Sequence, residues 1–177
     1  MSLLYEGRRR TILTEPVEAM RRAGLEPVVD PQHRYARSRS GQGITIEVGF
    51  ANSFRIFGAL IDTLWTGKNE GIRRPRSVLG YRFGRNCRFT PKVRSQEAQD
   101  WAETLNADPT LRQLIARSEL KDVHLEDGPR GRIVQVQPLA GTITALYLPP
   151  LPPYTVLVRP VEADAQLKLL TRLITRS

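Results

Sequence analysis

The chain has 177 residues, 40% of them hydrophobic and 25% charged, which excludes a wholly disordered chain and fits one globular domain over residues 1–177. A single cysteine, Cys87, excludes an internal disulfide, and together with His33 and His124 it gives too few soft ligands, too far apart, for structural zinc. Lys and Arg number 27 against 18 Asp and Glu, a net charge of +9; the excess lies in the basic half, 1–94, with 18 basic and 8 acidic side chains, whereas the near-neutral half, 95–177, holds 9 and 10.

In chain order, Pro16 after Glu15 predicts the start of a first helix, since proline fits the first helical position. Val17 and Met20 form its apolar stripe and Gly24 its C-cap. Val28-Val29 reads as a short strand, and Tyr35 to Arg39 as extended. The Ser40-Gly41-Gln42-Gly43 turn leads into a strand with Ile44, Ile46, Val48 and Phe50 on one face. Asn52 or Ser53 then caps a predicted helix carrying Phe54, Phe57, Leu60, Ile61, Leu64 and Trp65 at helical spacing, ended by Gly67 and Lys68.

Residues 68–94 are the basic stretch, with nine cations and only Glu70 against them. Cys87, Phe89 and Val93 suggest an extended segment near its end. Ser95 caps a helix with Ala98, Trp101 and Leu105 on one side, and Asp108-Pro109 opens another carrying Leu111, Leu114 and Ile115. Val123 and Leu125, a turn at 127–131, Val134 and Val136, then 142–148 and 154–158 read as a four-strand meander. Pro160 opens a terminal helix with Ala163, Leu167, Leu170 and Ile174 on its face.

The expected fold is α+β: an antiparallel sheet of about five to seven strands with amphipathic helices on one face. Both halves run helix, hairpin, then more helix, an order that a degenerate duplication of a helix–hairpin unit would leave. No apolar run is long enough to span a bilayer, and Met1 to Arg10 has no signal-peptide core. A reducing cytoplasm is the expected location.

For chemistry, Arg73, Arg74, Arg76, Arg82, Arg85, Arg88 and Arg94 are interleaved with Tyr81, Phe83 and Phe89. Guanidinium forks bind phosphate, and rings stack on bases. These arginines are the candidate site for a polyanion, either nucleic acid or an anionic membrane surface. Arginine outnumbers lysine 23 to four, a ratio that GC-rich coding bias also produces, and the three rings also suit a core.

Cys87 among arginines would be an activated thiol if His33 or His124 approached as its base; a small buried hydrophobe is the plainer account. His124 beside Asp122, Glu126 and Asp127 suits a solvent-facing strand position. No phosphate loop, nucleophile elbow, zinc-protease motif or calcium loop occurs, so no catalytic residue, metal or cofactor is assigned. The uncharged span from Ile133 to Val158, with its Pro149–Pro153 run, is a stiff connector and an alternative surface for a protein partner or a homodimer. The sequence thus points to a non-catalytic binding module, with an interaction domain and an enzyme of unrecognised site as alternatives.

Overall fold

The computed structural model describes residues 2–40, 43–55, 58–83, 87–146 and 152–176. Helix α1 (Ser2–Arg22) leads into strands β1 (Val28–Val29), β2 (Tyr35–Arg39), β3 (Ile44–Arg55) and β4 (Gly58–Asn69). Strands β5 (Ser77–Arg82) and β6 (Arg88–Pro91) are followed by helices α2 (Gln96–Asn106) and α3 (Pro109–Ser118). Strands β7 (Leu120–Gly128), β8 (Gly131–Pro138), β9 (Thr142–Leu146) and β10 (Tyr154–Val156) precede helix α4 (Pro160–Thr175).

The fold is mixed helix and strand, with ten strands in one antiparallel, open sheet of order β1-β2-β3-β4-β8-β7-β5-β6, plus β9 and β10. Ten strands exceed the expected five to seven, in part because the described residues of 52–67 form no helix. They belong to the long β3–β4 hairpin, in register from Ile44↔Asn69 to Arg55↔Gly58. Alternation overrides the helical spacing there: Ala59, Ile61, Thr63, Trp65, Gly67 and Asn69 are buried on the helix side, and Leu60, Leu64, Thr66 and Lys68 point the other way. The expected ring of Phe57 lies outside the described residues.

The second half is not a simple meander. Strands β8 and β9 do not pair with each other; both line the same edge of β4, β8 along its second half and β9 along its first. They meet at Gly141, whose φ of 78° a side chain would strain. A Cβ there would come within 2.2 Å of Thr63 Oγ1, and that hydroxyl donates to Gly141 O at 2.6 Å.

Helix α1 starts well before Pro16, which sits inside it. The lost backbone bond is outweighed by burial of Ile12, Leu13, Val17 and Met20 against the sheet and α4. Gly24 does end it, with φ 75°. The caps at Ser95 and Asp108 form as the sequence implies, accepting from Ala98 N, and from Thr110 N and Leu111 N.

All four helices share one face. Helix α4 crosses β4 and β8 and contacts α1 and α3, while α2 covers β5 and β6. It approaches so closely that a Cβ on Gly67 would lie 2.7 Å from Ile174 Cδ1. Polar latches run through this layer: Trp65 Nε1 donates to Gln166 Oε1 at 2.9 Å, and Asn69 Nδ2 to Ile174 O at 3.0 Å. No helix among the described residues is long and apolar enough to cross a membrane.

Candidate polyanion-binding surface

With the helices on one face, the other face of the sheet is free of helices among the described residues, and register decides what stands on it. One row crosses it from Arg37 through Glu47, Thr66, Gln135 and His124 to Gly80 and Thr90. The next row at the β5–β6 margin is Arg82 opposite Arg88. Both are exposed.

Two guanidinium groups directly opposed across a strand pair repel, at a cost of a few tenths of a kcal/mol up to about 1. Neither has a carboxylate partner among the described residues. Lys92 joins them: a Cβ on Gly80 would meet Lys92 Cε at 2.5 Å, so the lysine stem lies over β5 on this same helix-free face.

The other candidates fall around this margin. Arg73 and Arg74 are exposed in the loop before β5, without an ion pair among the described residues, and Arg76 reaches Glu126 at 3.6 Å. Arg76 and Arg82 are six residues apart along an extended chain, about 20 Å. Arg94 is exposed just before the Ser95 cap, and Arg85 lies outside the described residues. The structure therefore gives a strip, with Arg82 and Arg88 at one end, Lys92 between, and Arg73, Arg74 and Arg76 at the other.

Lys92 was missed by sequence reading. Its signal is a glycine two strand positions before Arg82, which leaves room for a long side chain to lie across the strand.

The interleaved rings do not share this face. Tyr81 and Phe89 are paired in register one position back, on the helix side. Their centroids are 4.9 Å apart and edge-on, and Phe83 packs edge-on to Tyr81 at 4.8 Å. Phe89 is core; Phe83 remains substantially exposed.

Cys87 contacts Tyr81, whose pKa is raised by burial and by that sulfur. The two histidines are placed away from Cys87. His124 is on the helix-free face, and His33 precedes β2 at the opposite margin of the sheet. Among the described residues, neither imidazole is placed beside the thiol. Among the described residues no group of three His, Cys, Asp or Glu could hold a metal ion.

Several other arginines meet carboxylates. Arg34 binds Asp30, Arg22 binds Asp164, Arg159 binds Glu162 and Glu119, and Arg172 and Arg176 converge on Asp108. A polar hollow of about 390 Å³ near β2–β4 gathers Arg37, Arg39 and Lys68, but Glu47 and Glu70 line it too. In the β5–β6 strip, among the described residues, Arg76 alone has an ion pair. Compared with models of protein families, with curated proteins and with solved structures, the chain finds no match in any of the three.

Proposed function

We propose that the protein is a non-catalytic module that binds single-stranded nucleic acid along the β5–β6 margin of its helix-free sheet face. The observation that carries this reading is the Arg82–Arg88 opposition, a repulsion that folding alone does not reward and that a phosphate between the two would relieve. Lys92, Arg73 and Arg74 extend the strip, and Arg76, Arg94 and Arg85 belong to the proposed site. The next rows inward favour nucleic acid over a lipid surface. His124, Gln135 and Thr66 are half-buried hydrogen-bonding side chains, suited to base edges rather than acyl chains.

The test is fluorescence anisotropy with a labelled single-stranded oligonucleotide across a salt series. If Arg73, Arg74, Arg82, Arg88 and Lys92 each neutralise one phosphate, the slope of log K against log salt is about −3.5, and about −2.1 for Arg82→Gln/Arg88→Gln. Absence of binding at low salt, or a slope unmoved by the double substitution, overturns the proposal. Binding to phosphatidylserine vesicles without binding to the oligonucleotide overturns it in favour of a membrane partner.

A second reading rests on β10, which pairs with β9 and with no other strand among the described residues. Tyr154, Val156 and Leu157 are exposed there, within the uncharged span, and suit a homodimer. Light scattering over a concentration series separates the two: a monomer throughout removes the dimer. On either reading the protein works in the cytoplasm. A duplicated helix–hairpin unit is also proposed; what supports it is that α1 before β2–β3 and α3 before β7–β8 both end on a left-handed residue, Gly24 and Glu119.

A further inference from the structure

On the helix side of the sheet, behind the arginine strip, α3 and the end of β5 enclose a cleft of about 410 Å³. Its lining is mostly apolar: Tyr81, Phe83, Cys87, Ile115, Leu120 and Leu139, with Arg112 as the cation. Phe83 and Leu139 are 40% and 55% exposed. Scattered singly they would need no account, but they stand on one concave site of ligand-pocket size.

Arg112 is exposed and has no ion pair among the described residues, yet lies close enough to Tyr81 for its charge to act on the phenol. The acid on the rim, Glu119, is held by Arg159 at 3.1 Å. Glu119 also adopts φ 45°, a left-handed conformation that residues other than glycine avoid, and its carbonyl accepts from Leu139 N at 2.8 Å. This turn fixes Leu139 at the cleft mouth; strained backbone of this kind gathers at binding sites. Burial, above all, and the neighbouring Cys87 sulfur raise the Tyr81 pKa.

We infer that the cleft binds a small amphipathic carboxylate, its aromatic or aliphatic body among Tyr81, Phe83, Ile115 and Leu120 and its carboxylate on Arg112. The site is separate from the arginine strip. An apolar lining supplies most of the affinity of such pockets, and one guanidinium fork fixes which end of the ligand lies where.

The test uses 2-naphthoate and its uncharged counterpart 2-naphthalenemethanol, followed through the methyl resonances of Ile115, Leu120 and Leu139. Naphthoate shifts these methyls. Arg112→Gln weakens naphthoate about tenfold and leaves the alcohol unchanged. Ala116→Phe, which fills the cleft from an exposed position on α3, abolishes both. Methyls that do not move at about 1 mM naphthoate, or an Arg112→Gln variant that binds both compounds as the parent does, overturn the inference. Arg82→Gln/Arg88→Gln retains naphthoate binding, so this site and the nucleic-acid reading stand or fall separately.

Discussion

Arg132 is the deepest charge among the described residues, 0% exposed and matched by Asp127 at 1%. Its Nε and Nη2 engage the two Asp127 oxygens at 2.6 and 2.7 Å. Its Nη1 donates to Leu173 O at 3.0 Å and to Arg176 O, and its guanidinium sits 4.6 Å over the Trp101 ring. One side chain thus ties the β7–β8 turn, the end of α4 and α2 together. Replacing Arg132 by Met strands a buried carboxylate and two helix-terminal carbonyls. Breaking a buried pair this way costs about 3–5 kcal/mol, a third or more of the stability of an ordinary domain.

The readout is urea unfolding followed by tryptophan fluorescence, since Trp65 and Trp101 are both buried. At a slope of about 2 kcal/mol per molar, the midpoint should fall by about 2 M with the slope unchanged. The apolar double variant Asp127→Leu/Arg132→Met should recover most of the loss, because no charge is then left without its partner. A single substitution costing under about 1 kcal/mol, or a double variant as unstable as the two singles summed, refutes the reasoning.

Asp108 caps α3 and accepts from Arg172 at 2.8 Å and from Arg176. Burial alone would raise its pKa, but bonds from Arg172, Leu111 N and Arg176 and the charge of Arg172 outweigh it and hold the carboxyl at about 2 rather than 3.8. The folded state therefore binds this proton less readily than the unfolded chain. The stabilisation is complete above about pH 4 and drains away as pH falls toward 2. Asp108→Asn keeps the cap but loses the charge that Arg172 and Arg176 pair with, and should cost about 1–2 kcal/mol at pH 7, with the gap to the parent closing across that acid window in pH-dependent urea titrations. Gly141→Ala should cost about 2 kcal/mol or more by thermal melting, since the new methyl strains a positive φ and meets Thr63 Oγ1 at 2.2 Å. Glu119→Gly should stabilise by about 0.5–1 kcal/mol in the same assay, the relief of the left-handed backbone exceeding the loss of an exposed pair with Arg159.

How much of this was legible in the sequence depends on how local its cause is. The Ser95 and Asp108 caps, the 127–131 turn, the α4 start at Pro160 and the strand faces of Val123, Leu125, Val134 and Val136 follow from side chains acting on their own neighbourhood. The β3–β4 hairpin was missed because Phe54, Ile61, Leu64 and Trp65 fit a helical stripe, whereas on β4 Ile61 and Trp65 face the helices and Leu64 points the other way. Only the partner strands β8 and β9, seventy residues on, decide between helix and strand. Residues 2–14 were missed as helix because their stability comes from packing on a distant α4, not from local pattern. For the site, Arg82 and Arg88 could be named, but their opposition is a property of register. Lys92 and the Arg112 cleft depend on which chain segments meet across the sheet.

That register also separates coding bias from function. A bias toward arginine codons acts position by position and takes no account of what will stand opposite across a strand pair. If Arg82 and Arg88 are there by bias alone, their repulsion is a small uncompensated cost and either can be reversed at no functional loss. Arg88→Glu turns the repulsive pair into an attractive one, worth about 0.2–1 kcal/mol. At an exposed position the gain should lie at the lower end. The variant should thus melt slightly higher than the parent while binding the oligonucleotide at least as poorly as Arg82→Gln/Arg88→Gln, because it places a carboxylate where a phosphate would sit. A variant that is both more stable and fully able to bind would show that the fold carries these arginines as indifferent passengers. A more stable variant that no longer binds would show the opposed pair to be kept for its ligand, against the interest of the fold.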